Sequence, residues 1–205
     1  MKNEVVIVGA GPSGLATAAC LNMLLIPNII LEKENCIASL WKMRAYDHLK
    51  LHLGKQFCEL PHMPYPSTTP TFIPKNEFIQ HLDNYQEHFK LDIVYCTEVD
   101  SANYDECNGS WSIMARDKVT GEVKEYIAKF LVVATGENSE GKIPDIPGMK
   151  DFSGEVIHSC SYKSGAAYAG KNVLVVGSGN SGMEIAYDLS NFGAKTSITV
   201  RNPVT

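Results

Sequence analysis

Cysteine is sparse and its spacing carries no pattern. Cys20, Cys36, Cys58, Cys96, Cys107 and Cys160 are the six in 205 residues, and no two stand as C-x-x-C. That spacing is what a redox dithiol or a zinc ribbon needs, so neither is expected. The six histidines are scattered without ligand spacing, which leaves no metal site to predict. Basic residues are in deficit: 18 Lys and Arg stand against 23 Asp and Glu, for a net charge of −5. Lys and Arg form no stripe, which argues against nucleic acid or an anionic membrane as the main partner. Long hydrophobic runs are missing too. The most apolar stretch, residues 15–31, is broken by Asn22, Pro27 and Asn28 and is too short to span a bilayer. The first strand-like run starts at about residue 4, which leaves no room for a signal peptide. With unpaired thiols, the expected setting is the cytoplasm.

Glycine-rich turns are what the chain does have. Gly9-Ala10-Gly11-Pro12-Ser13-Gly14 and Gly177-Ser178-Gly179-Asn180-Ser181-Gly182 stand 168 residues apart. Each follows an apolar strand-like run, Val5-Val6-Ile7-Val8 and Val173-Leu174-Val175-Val176, and each opens a helix-like run, from Leu15 and from Met183. That context makes each a dinucleotide fingerprint. The first Gly allows the tight turn, the second lets backbone approach a pyrophosphate, and the third packs helix on strand. The helix N-terminus attracts the anion. Two such units imply two dinucleotides and electron transfer between them. Glu32, 23 residues after Gly9, stands where an acid bonds ribose hydroxyls, which suits FAD or NAD and repels a 2′-phosphate. Arg201, 24 residues after Gly177, suits the 2′-phosphate of NADP. The competing readings are a solvated strand-end acid at Glu32 and a plain surface charge at Arg201.

The expected fold class is α/β: two Rossmann-like dinucleotide-binding domains, the second incomplete. Residues 4–34 read as β-α-β, and residues 35–75 as irregular. Phe78, Leu82, Tyr85 and Phe89 recur at helical steps and predict a helix over 76–89. A short strand is expected over 92–96, and strands at 110–115 and 124–127 about a turn at Gly121. Residues 130–136 read as a fully buried strand ending at Gly136. Residues 153–169 are expected to be mostly loop, before a second β-α-β whose last strand is 196–200. Pro144, Pro147 and Gly148 mark a hinge, which places an FAD-binding domain at 1–146 and an NADPH-binding domain at 147–205. Because the second unit stops just after its second strand, a further C-terminal segment is expected.

Several other motifs carry a resemblance. Phe152-Ser153-Gly154-Glu155-Val156-Ile157-His158-Ser159-Cys160-Ser161-Tyr162 matches F-x-G-x-x-x-H-x-x-x-Y, the identifying motif of flavin-containing monooxygenases. Tyr162 separates it from the related Baeyer–Villiger enzymes, which carry Trp there. Leu131-Val132-Val133-Ala134-Thr135-Gly136 is similar to the family's second marker. The stretch 46–61, with Ala134-Thr135-Gly136-Glu137-Asn138, residues 158–165 and Asn180-Ser181-Gly182-Met183-Glu184, resembles the plant YUCCA subfamily. The resemblance covers essentially the whole chain and implies proteins of roughly twice this length. It implies FAD, NADPH and O2 acting on a keto acid, indole-3-pyruvate, to give indole-3-acetate, the auxin.

Under that reading the cofactor-binding residues are Gly9, Gly11, Gly14, Glu32, Trp41, His52, Asn138, Gly177, Gly179, Asn180, Gly182 and Arg201. Trp41, with Leu40, is expected near adenine or isoalloxazine, against plain core packing. His52, Lys55 and Gln56 are candidates for polar contact with flavin or NADP, against an ordinary surface loop. His52 also departs from the Asn that animal-type relatives carry there. Asn138 lies just past a strand end, where open α/β sheets bind ligands. His158, Tyr162 and Gly154 are expected to shape the domain junction rather than move protons. Two other classes stand beside this one: a flavin disulfide reductase, which would need a C-x-x-C, and a non-catalytic paralogue that at most binds FAD.

Overall fold

The computed structural model describes residues 3–201. They form two compact units. One runs through Met43 and resumes over Lys50–Ser139; the other takes Arg44–Leu49 and the chain from Glu140 on. The parting near 139/140 stands beside the expected boundary at 146/147, and the short segment 44–49 goes with the second unit.

The first unit is built on strands β1 (Asn3–Val8), β2 (Asn28–Leu31), β3 (Ile93–Val94), β4 (Thr97–Asp105), β5 (Ser110–Asp117) and β6 (Val123–Val133), in the order β3-β2-β1-β6-β5-β4. β1 is parallel to both β2 and β6, so Val8 lies level with Leu31 on one side and Val133 on the other. A central parallel strand is covered on both faces. The β-branched run Val5-Val6-Ile7 meets that demand, and none of the three is more than 4% exposed. Helix α1 (Pro12–Met23) starts on proline, whose fixed φ suits the first helical position. It buries Gly14, Leu15, Ala18 and Ala19, small residues that let it lie close on the sheet. Helix α2 (Lys75–Phe89) buries Phe78, His81, Leu82 and Tyr85, the stripe its periodicity predicts. Leu82 and Tyr85 are fully buried in the core with Ile7, Leu15 and Ile30. Each such side chain contributes roughly 1.5–3 kcal/mol by leaving water.

The hairpin about Gly121 forms as expected, with β5 and β6 antiparallel around it. Two expectations are corrected. The strand read as fully buried is the end of the longer β6, and Phe130 and Val133 stay 51% and 70% exposed. Their apolar run calls for cover that no described element supplies. β4 is a strand the sequence pattern did not announce. Its residues are mostly polar and exposed; Val99 and Ala102 pack on a core cluster of the sheet, and it pairs with β5 along its length.

The second unit carries β7 (Asn172–Val176), α3 (Asn180–Asn191) and β8 (Lys195–Thr199). β7 and β8 are parallel, with Val176 level with Thr199. β8 sits one residue earlier than expected. Ahead of this β-α-β lie short 3-10 turns at Ser159–Ser161 and Gly165–Tyr168. Tyr46, Tyr162, Ile185, Leu189 and Ala194 make its small core. Both units are thus Rossmann-like at the glycine turn.

Candidate functional site

β1 delivers Gly9 to the C-terminal edge of the sheet with φ +104°, a conformation that L side chains rarely adopt. A Cβ there would also come within 2.5 Å of the Ala134 carbonyl oxygen. At Gly14 a Cβ would lie 2.0 Å from the Gly9 carbonyl oxygen, so α1 seats on the turn only without a side chain. Gly11 is different: a Cβ would meet nothing within 4 Å, which leaves open space in front of the turn. Gly11 is also the residue from which α1 starts. No described side chain caps that helix and no acid stands in its first turn. The first N–H groups and the positive end of the helix dipole are therefore available to an anion.

The turn is stapled from β2. The Gly9 N–H donates to the Leu31 carbonyl (2.9 Å) and the Ala10 N–H to Glu32 Oε2 (2.7 Å). Glu32 Oε1 accepts the Glu34 N–H at 3.0 Å. At 5% exposure Glu32 is not a solvated acid. Each of its oxygens keeps lone-pair capacity for a ribose hydroxyl. Behind the turn, the Ala10 carbonyl accepts the Ala38 N–H at 2.9 Å. Ala38 is buried at φ +51°, and its own carbonyl accepts the N–H groups of Trp41 (2.9 Å) and Lys42 (3.0 Å). The π-helical turn Leu40–Arg44 therefore hangs from the glycine turn. Lys42 fastens it to α2 through Asp83 at 2.7 Å. The Trp41 ring stands edge-on to Phe78 at 4.7 Å and packs against the main core.

The second turn repeats the first. Gly177 has φ +110°, a Cβ at Gly182 would lie 2.2 Å from the Gly177 carbonyl oxygen, and one at Gly179 would meet nothing within 4 Å. α3 starts at Asn180, again with no described side-chain cap and no acid in its first turn. The Gly177 N–H donates to the Thr199 carbonyl at 3.0 Å, as Gly9 does to Leu31. Since Val8 pairs with Leu31 and Val176 with Thr199, the register equivalent of Glu32 is Val200. Arg201 stands one residue further on and is exposed.

The structure thus brings Gly9, Gly11, Gly14 and Glu32 together in one unit, and Gly177, Gly179, Asn180 and Gly182 in the other. Asn138 is exposed, beyond the Ala134 that backs the first turn. His52 is exposed on the loop before the Lys55–Phe57 turn. The Lys55 ammonium donates to the carbonyls of Thr69 (2.7 Å), Ser67 (3.2 Å) and Pro66 (3.4 Å), so it clamps a loop. Gln56 folds back over Gly54. In the identifying motif, His158 Nδ1 accepts the Cys160 N–H at 3.2 Å, and the Phe152 ring lies where a Gly154 Cβ would go. Tyr162 donates to Asp188 at 2.5 Å. Sequence reasoning gave no role to Ala38, Gly165 or Asp188. Gly165 entered only as the end of the 158–165 stretch, and Asp188 left its trace as an acid between the apolar Ile185 and Leu189 of α3.

Residues 6–205 match the family model described as pyridine nucleotide-disulphide oxidoreductase. "Probable indole-3-pyruvate monooxygenase YUCCA10" of Arabidopsis thaliana is 56% identical over 99% of this chain and 53% of its own length. "Indole-3-pyruvate monooxygenase YUCCA6" of the same plant is 51% identical over 97% of the chain and 48% of its own length. The chain therefore spans about half the length of these relatives. Among solved structures, a flavin-containing monooxygenase from Stenotrophomonas maltophilia aligns with a TM-score of 0.84 at 27% identity, over 97% of this chain and 58% of that one. With this match and these relatives, the chain belongs to the pyridine nucleotide-disulphide oxidoreductase family and is similar along nearly its whole length to YUCCA-type flavin monooxygenases.

Proposed function

We propose that the chain carries the cofactor-binding framework of an NADPH- and FAD-dependent monooxygenase. The proposed reaction takes indole-3-pyruvate, O2, NADPH and a proton to indole-3-acetate, CO2, NADP and water. The observation that carries this reading is a matched pair of turns with unlike strand ends. Both have room in front of the middle glycine and an uncapped helix start. One ends at a buried acid, Glu32; the other ends at Val200 and Arg201. The acid suits the ribose of FAD, whereas a valine followed by a cation suits a ribose that carries a 2′-phosphate.

The residues fit both groups. Gly9, Gly11 and Gly14 would hold the FAD pyrophosphate at the start of α1, with Glu32 on the ribose, in a domain covering 1–146. Gly177, Gly179, Asn180 and Gly182 would hold the NADPH pyrophosphate at the start of α3, with Arg201 on the 2′-phosphate, in a domain covering 147–205. Bound, the flavin and NADPH would supply the redox chemistry, with O2 as oxidant. This chain's own part is to hold the dinucleotides. Glu32 keeps the turn in shape, Ala38 and the 40–44 turn back it, and Asn138 marks the strand edge where a ring system would lie. The absence of any C-x-x-C favours this over a disulfide reductase. No described helix is long and apolar enough to cross a membrane. Six free thiols agree with a reducing compartment, the cytoplasm being the proposed one.

The test is product analysis. Protein of the full length of its relatives, supplied with NADPH, air and indole-3-pyruvate, should release indole-3-acetate and CO2 in equal amounts, whereas residues 1–205 alone should show little or no turnover. Oxygenation of a sulfide without decarboxylation would move it to another monooxygenase branch. Protein that purifies without flavin, and takes none up, would defeat the first-turn assignment.

A further inference from the structure

Asp188 lies on the buried face of α3 with Ile185 and Leu189. Only 9% of it is exposed. Its Oδ2 accepts two hydrogen bonds from one strap of chain: the Tyr162 hydroxyl at 2.5 Å and the Gly165 N–H at 2.8 Å. Gly165 has no room for a side chain. A Cβ there would come within 2.8 Å of the Asp188 carbonyl oxygen, 2.9 Å of Phe192 Cδ2 and 3.0 Å of Leu189 Cα. The strap is therefore seated directly on the backbone of α3. It is held from its other side by the Asp47 N–H, which donates to the Lys163 carbonyl at 2.9 Å. A second tie reaches the same helix, from the Tyr46 hydroxyl to Glu184. Burial, and then the bond to Asp188, push the Tyr162 hydroxyl well above its ordinary pKa, so it stays a donor.

α3 and its glycine turn can move only together. Gly182 sits against the Gly177 carbonyl with no space for a methyl group, and the Met183 N–H bonds the Gly179 carbonyl at 3.0 Å. A clamp at Asp188, about 12 Å along the helix from Asn180 at 1.5 Å per residue, therefore sets where the turn stands. The geometry points to Tyr162, Asp188 and Gly165 as positioning residues that hold α3, and with it the second glycine turn, in the setting that takes a nicotinamide dinucleotide phosphate. The inference rests on the reading that this turn takes NADPH. It gives the last residue of the family motif a task that requires no contact with substrate.

Two variants press on the clamp from different sides. Tyr162→Phe deletes one donor to Asp188 and keeps the ring; Gly165→Ala adds the Cβ that has no room. NADP affinity is measured by calorimetry, FAD content by absorbance, and flavin reduction by stopped flow against NADPH concentration. In both variants the Kd for NADP and the KM for NADPH should rise about tenfold. FAD content and the limiting reduction rate at saturating NADPH should stay at wild-type values. A lowered melting temperature with unchanged NADP affinity in either variant would make the clamp merely structural and overturn the inference. A lowered limiting rate at unchanged Kd would overturn it by giving Tyr162 a part in the chemistry. Wild-type protein that binds no NADP would defeat the reading of the second turn itself, and the inference with it; the variants' outcomes defeat the clamp alone.

Discussion

Glu32 holds two backbone N–H groups while buried, so its charge can be removed at nearly constant shape. Glu32→Gln keeps one carbonyl oxygen and puts an amide NH2 where the second oxygen stood. That NH2 faces a donor, either the Ala10 N–H now at 2.7 Å from Oε2 or the Glu34 N–H now at 3.0 Å from Oε1. One charge-assisted bond is lost outright, and a bond to a charged group contributes about 1.5–3 kcal/mol. A kcal/mol shifts the melting point by roughly 2–4 °C in chains of this size, so the expected fall is roughly 3–12 °C. The measurement is the melting temperature of the flavin-free protein, because the staple acts on the turn whether or not FAD is present. FAD affinity should fall as well, by roughly 10- to 150-fold if the whole loss is felt in binding. If flavin-free Glu32→Gln melts with the wild type, Glu32 does not hold the turn. If it melts lower but keeps full FAD affinity, Glu32 shapes the loop and does not meet the ribose.

Gly11→Val should fold, because a Cβ at Gly11 meets nothing, yet lose bound flavin by filling the space in front of the turn; retained stoichiometric yellow colour would reject the site. Arg201→Ala should lower the preference for NADPH over NADH by roughly 10- to 150-fold, the equivalent of a charge-assisted contact of about 1.5–3 kcal/mol. An unchanged ratio of flavin-reduction rates would reject the role. His81 is buried with its ring 4.1 Å from Tyr65, and its Nε2 has no partner among the described residues. Burial lowers its pKa below the ordinary 6.5. The unfolded chain then binds the proton first, so stability is full above pH 6.5 and drains as pH falls below it. Thermal melts from pH 8 to pH 5 should show that slope, and His81→Phe should flatten it; equal slopes would sink the account.

Both turns were legible in the sequence because positive φ and close backbone approach leave glycine behind as a visible mark. Gly9, Gly14, Gly177 and Gly182 stand where a side chain would be strained or collide. Ala38 shows the limit of that signal. It adopts φ +51° as an alanine, held by the Ala10 carbonyl on one side and by Trp41 and Lys42 on the other, so nothing in its identity reveals its place. Asp188 is a similar case. Its burial is tolerated because Tyr162, 26 residues away, and the Gly165 N–H satisfy it, and such partners are distant in sequence. β4 escaped because its strand character lies in backbone pairing with β5, while Trp41 was visible as an aromatic without showing that it faces Phe78. Register confirms what the spacing already implies. Glu32, 23 residues after Gly9, stands against Val200, 23 residues after Gly177, and strand pairing sets the same two residues level, with the arginine one residue beyond. At one turn a buried carboxylate is committed to the loop through two backbone N–H groups. At the other the equivalent residue is Val200 rather than an acid, and the cation next in line is exposed. The two turns share their geometry, so under the proposed function the choice between cofactors falls to residues 32, 200 and 201.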